Sequence, residues 1–172
     1  MTKLRAGSAA SNNAAHANKL AVKRAPASLT KTRARTHSYL ELRKKLAAGA
    51  PQTAIALIRK GVNASVLLDL ANHLGMSRAK IYAVAGLPSA TAERKIRENA
   101  MLSAEITERI ARIAKVETEA LVVFGQDDRV LQWLFTPSSI FDGETPMDWI
   151  DTDIGTREVL KSIAAIRYGG VV

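Results

Sequence analysis

Residues 74–99 read LGMSRAKIYAVAGLPSATAERKIREN. Two short stretches of helical periodicity are cut by Gly75 and again by Gly86, inside a basic region. A helix-turn-helix needs a small residue on its first helix, a glycine in the turn and an apolar anchor on the second helix. This stretch offers that pattern twice. In one register Ala71 is the small residue, Gly75 the turn and Ile81 the anchor, and SRAKIYAVAG reads DNA. In the other, Gly86 is the turn, Ala92 the anchor and PSATAERKIREN the reading helix, with Tyr82 in the small-residue place. Bare pattern favours the first register. Side-chain chemistry favours the second, because Ser89, Thr91, Arg94, Lys95 and Arg97 can reach bases or phosphates, whereas the first offers little beyond Arg78 and Lys80.

Outward from this stretch the pattern stays helical. On the N-terminal side, SYLELRKKLAAGAP predicts a short helix ending near Gly49, and PQTAIALIRKG one that starts at Pro51 and ends at Gly61, with Ile55, Leu57 and Ile58 on one face. NASVLLDLANHLG follows, and Asn63 or Ser65, Ser77 and Ser89 are candidate N-caps. On the C-terminal side, LSAEITERIARIAKVETEALVVFG (102–125) predicts the longest helix. Ser103 is its cap, Ile106, Ile110, Ile113, Leu121 and Phe124 its apolar stripe, and Glu108/Arg112 and Lys115/Glu119 pairs on its solvated face. No stretch alternates with period two long enough to predict a strand, so the chain is expected to be all-α.

Charge divides the chain. Residues 1–50 carry 11 Lys/Arg against one acid, residues 51–100 carry 7 against 3, and residues 101–172 carry 7 against 12, within a total of +9. A basic front suits a polyanion and an acidic rear does not, which predicts two surfaces for two partners. Residues 1–36 have almost no large apolar side chains and read as a disordered basic arm, either a solvated tail of no specific function or one that adds nonspecific phosphate contacts. The 172 residues contain no cysteine, which fits a reducing cytoplasm. The longest apolar runs are far short of the roughly 20 residues of a membrane span, and no membrane partner is expected. No phosphate loop, H-E-x-x-H or G-x-S-x-G is present. His16, His37 and His73 are isolated, with His73 expected at the surface. Neither an enzyme nor a cofactor or metal site is expected.

The C-terminal unit, TPMDWIDTDIGTREVLKSIAAIRYGGVV (145–172), has its own logic. Thr145 caps ahead of Pro146, and Thr152 caps a helix beginning at Asp153, whose charge suits the positive helix end. Gly155 in the first turn costs that helix about 1 kcal/mol relative to alanine, which makes sense where another backbone approaches closely. Val159, Leu160, Ile163 and Ile166 or Arg167 form its apolar stripe.

VFGQDDRVLQWLFTPSSIFDGETPMDWIDTDIGTREVLKSIAAIRYG (123–169) resembles the toxin-binding domain of the Xre/MbcA/ParS antitoxins. The matching elements, in order, are a Phe-Gly before an acidic helix start, a Trp-Leu before a proline, a glycine turn into Thr-Pro, an Asp-Thr-x-x-Gly helix start and an aromatic-glycine end. Residues 74–113 resemble the family's Cro-like helix-turn-helix in the second register, departing from it at Ala92, where a larger apolar anchor is usual. The basic arm (1–36) is not part of the family pattern; for the rest, the resemblance implies an all-α chain with a helix-turn-helix DNA-binding domain (37–115) and a small helical toxin-binding domain (116–172). It implies a cytoplasmic bacterial antitoxin, nucleoid-associated when on DNA. Such an antitoxin neutralises a RES-domain toxin encoded beside it, one that degrades NAD or uses it for ADP-ribosyl transfer, and represses the shared operon at its operator as a homodimer. The residues implied to meet the toxin are Trp149, Thr156 and Arg157 and the inhibitory end Arg167, Tyr168, Gly169, Gly170, Val171 and Val172. The alternative is a DNA-binding regulator without a toxin, whose C-terminal domain only dimerises.

Overall fold

Ser103 accepts a hydrogen bond from the Ile106 N–H and so opens the helix around which the other elements are arranged. A computed structural model describes residues 39–169. The expected basic arm, 1–36, and the terminal Gly170, Val171 and Val172 lie outside the described residues. In chain order the helices are α1 (39–48), α2 (Pro51–Lys60), α3 (Val66–Leu74), α4 (Arg78–Val84) and α5 (Ser89–Arg97). They continue with α6 (Ala104–Phe124), α7 (Asp127–Leu134), α8 (Pro146–Trp149) and α9 (Asp153–Arg167), with a single 3-10 turn at Ser139–Phe141. The described residues contain no strand beyond one isolated antiparallel bridge between Asn63 and Met101, so the all-α expectation holds.

Helix α6 packs against α2, α7 and α9. Ile110, Ile113, Ala114, Val116 and Ala120 on α6 are buried, and one apolar core runs from Tyr39 and Leu67 through α6 to Phe141, Met147, Val159 and Ile163. Fully burying side chains of this size contributes roughly 1.5–3 kcal/mol each, so α6 is the main source of cohesion between the front and rear of the chain.

Several local expectations hold. Ser77 and Thr152 each cap the helix that follows, and Thr145 forms a full capping box with Asp148. Others are corrected by packing. Ser89 is the first helical residue of α5, with Pro88 at the cap position and no side-chain cap. Ile55 is 47% exposed and α2 contains no fully buried residue; of its expected face Leu57 packs against the core from a partly buried position. Arg112, expected to pair with Glu108, donates instead to the Asp151 carbonyl at 3.2 Å.

The largest correction is His73. Its side chain is only 10% exposed, and its Nε2 lies 3.1 Å from Glu117 Oε1. Glu117 on α6 is fully buried. The Tyr39 hydroxyl donates to its Oε2 at 2.8 Å and Arg43 Nη1 donates at 3.2 Å. The same Arg43 nitrogen donates to Asp127 Oδ1 at 2.8 Å. Four helices, α1, α3, α6 and α7, are thereby tied through one carboxylate. Burial, and after it the Glu117 charge, pushes the Tyr39 phenol well above its ordinary value.

Asp127 titrates low for a definite reason. The hydrogen bond from Arg43 holds its carboxyl below the ordinary 3.8, against an opposing push from burial. A carboxyl whose folded value is depressed contributes stability above its unfolded value and loses it as pH falls through the folded value. The contribution of Asp127 is therefore complete above 3.8 and disappears on further acidification. Asp127→Asn is expected to lower stability at neutral pH and to flatten the acid limb. Denaturant unfolding of both proteins down to about pH 2 checks this; parallel limbs would contradict it.

Candidate functional site

Two surfaces carry the expected chemistry, one on α4 and α5 and one on α8 and α9. In the first, Ile81 and Tyr82 of α4 and Ala92 of α5 are buried, with exposures of 0%, 2% and 0%. Ala92, the expected anchor of the second register, is fully buried, as is Tyr82 on the preceding helix. The Tyr82 hydroxyl donates to Glu93 Oε1 at 2.7 Å. Burial and this hydrogen bond push its pKa up to about 12, so it stays a donor at any physiological pH. Arg78 lies 3.9 Å from the same Glu93 oxygen. The one acid in the first two turns of α5 is thus held sideways against α4.

What remains on the solvent side of α5 is basic and polar. Ser89, Arg94 and Arg97 are exposed, and Thr91 and Lys95 are half-buried. Arg94 is only loosely paired with Glu98, at 3.5 Å on the helix surface, an exposed contact worth about 0.3–0.5 kcal/mol and easily exchanged for a phosphate. The competing register also packs: Ala71 is buried, Gly75 takes a left-handed φ of 63° and Ile81 faces inward. Helix α4, however, presents only Arg78 and Lys80 as cations on its exposed face.

In the second surface, Gly155 explains itself. A Cβ there would lie 2.9 Å from the Trp149 carbonyl carbon and closer still to its oxygen. The approaching backbone is the chain's own α8, which α9 meets at a sharp turn. Thr156 was expected to meet a partner, but it is 4% exposed, and its hydroxyl donates to the Thr152 and Ile150 carbonyls at 2.7 and 3.2 Å. It satisfies the carbonyls of that turn and has no face to offer. Trp149 is half-buried, edge-on to Phe141 at 5.3 Å, with its Nε1 donating to Glu144 at 2.8 Å. Beside it Ile140, Glu158, Lys161 and Ala165 line an open groove of about 490 Å³, a feature that sequence spacing did not reveal. Its residues come from three elements. Arg157 is exposed and paired with Asp153 at 3.1 Å.

Val159 and Ile163 hold α9 on the core, with Leu160 packed against it; Ile166 is half-buried and does not join the core, and Arg167 is exposed. The Arg167 guanidinium is 5.7 Å from the Tyr168 ring centroid, and Tyr168 is 80% exposed. Gly169 adopts a φ of 70°. Among the described residues no three His, Asp or Glu side chains are grouped to hold a metal ion, and no helix is long and apolar enough to cross a membrane.

Comparison with known proteins matches residues 53–115 to the antitoxin Xre-like helix-turn-helix domain and residues 119–169 to the antitoxin Xre/MbcA/ParS C-terminal toxin-binding domain. The two matches meet within α6. The chain is 30% identical over 135 residues to the Prs ADP-ribosylating antitoxin of Sphingobium sp. (strain YBL2), which covers 73% of this chain and 85% of that protein. It is 27% identical over 113 residues to the antitoxin Xre of Yersinia enterocolitica, covering 65% and 76%. With the antitoxin Xre of Photorhabdus laumondii it shares 25% identity over 115 residues, covering 66% and 78%.

Proposed function

The chain belongs to the Xre/MbcA/ParS family of antitoxins, and from that premise we propose that it silences a RES-domain, NAD-using toxin with its C-terminal end and represses its own operon through α4 and α5. The observation that carries the first part is the end of α9. The helix is held by buried Val159 and Ile163, whereas Arg167, Tyr168 and Gly169 stand clear of the core. An NAD pocket takes up an aromatic ring and an anionic diphosphate, so an exposed tyrosine with an arginine beside it is a suitable occupant, and glycines let the chain enter without side-chain clash. The residues proposed to reach the pocket are Arg167, Tyr168, Gly169, Gly170, Val171 and Val172. Trp149 and Arg157 flank the supporting surface, and Thr156 supports it from within. The name of the Sphingobium relative favours ADP-ribosyl transfer over NAD degradation as the toxin's chemistry. The protein itself acts by binding, without catalysis or cofactor, in the bacterial cytoplasm.

The second part rests on the basic solvent face of α5. It uses the register with Gly86 as the turn, with Ser89, Thr91, Arg94, Lys95 and Arg97 facing operator DNA and Arg78 at the flank. A homodimer would present two such helices to two half-sites. Residues 37–115 serve DNA and residues 116–172 serve the toxin, with α6 common to both.

The test uses the neighbouring reading frame, co-expressed with the full chain and with a chain ending at Ile166. The shorter chain keeps the α9 residues that are buried, so it is expected to hold the toxin in a pull-down while failing to restore growth and NAD. Equal rescue by both chains would remove the tail from the mechanism. A neighbour that is harmless and unbound would sink the toxin reading altogether and leave a plain DNA-binding regulator.

A further inference from the structure

Helix α5 is basic at one end only. Arg94, Lys95 and Arg97 fall in its last turn, and its first turn, Ser89, Ala90 and Thr91, has no cation. From Ser89 to Arg97 the helix rises about 12 Å, at 1.5 Å per residue. That equals the roughly 12 Å width of the DNA major groove. A helix lying across the groove with all its cations at one end neutralises phosphates on one strand and offers the other strand only the hydroxyls of Ser89 and Thr91.

The missing cation comes from another helix. Arg109 of α6 reaches the turn that precedes α5. A Cβ on Gly86, which has a φ of 71°, would lie 2.8 Å from Arg109 Cζ and closer still to Nη1. The guanidinium therefore lies directly against the turn backbone, where only glycine leaves room for it. Arg109 is a third exposed, and among the described residues its ion pair is with Glu105 at 3.0 Å, a carboxylate 76% exposed. Such a pair is weak and readily exchanged, and a guanidinium fork suits a phosphate better than it suits a solvated carboxylate.

We infer that Arg109, seated on Gly86 at the α4–α5 turn, is a DNA-phosphate contact that grips the strand opposite the one met by Arg94 and Arg97. This rests on the reading of α5 as the DNA-facing helix. Glu105 holds the side chain in place when DNA is absent, and as a like charge it opposes the incoming phosphate.

The test measures binding of the full-length protein to a duplex from the region upstream of its own coding sequence, and to a random duplex of equal length, over a range of salt. Arg109→Ala is expected to weaken binding to both duplexes and to make the slope of log K against log salt shallower by about one unit. Glu105→Gln, which leaves Arg109 in place, is expected to tighten binding. Part of that gain comes from removing a like charge whatever Arg109 does, so the part that depends on Arg109 is read as the gain lost when Glu105→Gln is made in the Arg109→Ala background. Thermal melts of the variants confirm that each is folded. If Arg97→Ala makes the slope shallower but Arg109→Ala leaves it unchanged, or if Glu105→Gln weakens binding, the inference is overturned. If the parent protein binds neither duplex, the DNA-facing reading of α5 falls first and this contact falls with it.

Discussion

Glu117→Ala is expected to lose about 3–5 kcal/mol of stability, the range for breaking a buried charged cluster by removing one member. Glu117 is fully buried and accepts from Tyr39 and Arg43, with His73 Nε2 at its other oxygen. Alanine leaves those groups facing one another without the acceptor that brought them together. Arg43 retains Asp127. The Tyr39 hydroxyl, in a fully buried side chain, retains no hydrogen-bond partner among the described residues, and an unsatisfied buried donor costs about 1–3 kcal/mol by itself. Glu117→Gln, which keeps one acceptor oxygen, is expected to fall between parent and alanine. Denaturant unfolding of the three proteins measures this. A loss below about 1 kcal/mol for the alanine variant would place the cluster among interactions that break even on folding. Because the cluster joins α1, α3, α6 and α7, the loss is expected to lower toxin capture and DNA binding together.

Gly155→Ala sets two known effects in opposition. Helix propensity alone predicts a gain of about 1 kcal/mol, since alanine replaces glycine inside α9. Packing predicts a loss, because the new Cβ would fall on the Trp149 carbonyl. Main-chain atoms cannot rotate aside as a side chain can, so the α8–α9 turn must open, and overpacking of this kind costs about 1–3 kcal/mol or more. Opening the turn also strains the Thr156 hydroxyl bonds to the Ile150 and Thr152 carbonyls and moves Trp149. A net loss of stability, accompanied by weaker toxin capture, is therefore the expected outcome. Thermal unfolding and pull-down of the variant against the parent decide it. A variant as stable as the parent would mean that propensity outweighs the clash.

Both predictions concern residues whose importance was unevenly legible. Gly155 was visible as an anomaly, a glycine in the first turn of an otherwise good helix, and it predicted a close backbone approach. The sequence could not say that the approaching backbone was the chain's own Trp149. Glu117 did carry a signal, since it lies four residues after Ile113 and seven after Ile110, within the apolar stripe of α6 and away from Glu105, Glu108 and Glu119, but its partners come from other helices, which spacing along α6 cannot show. His73 misled for the same reason. Thr156 looked like a contact residue because it sits in the matching helix start, yet its short hydroxyl fits the carbonyls beneath it. Arg109 is one of two arginines on α6, distinguished from Arg112 by lying against Gly86.

The elements themselves were determined by local chemistry. Glycines, prolines and capping hydroxyls act within one turn of the chain, so helix starts such as Ser77, Ser103, Thr145 and Thr152, the long α6 and the all-α class followed from sequence. So did the division into a basic front and an acidic rear, since charge is a property of composition. Tertiary structure alone decided which groups a buried charge meets and which side chains from distant helices share a surface. A side chain's neighbours across helices depend on packing, which residue spacing along one helix does not encode. Glu117 meets Tyr39, Arg43 and His73, Arg109 reaches a turn more than twenty positions earlier, and Trp149 borders a groove with Ile140 and α9, because α6 brings these elements against one another.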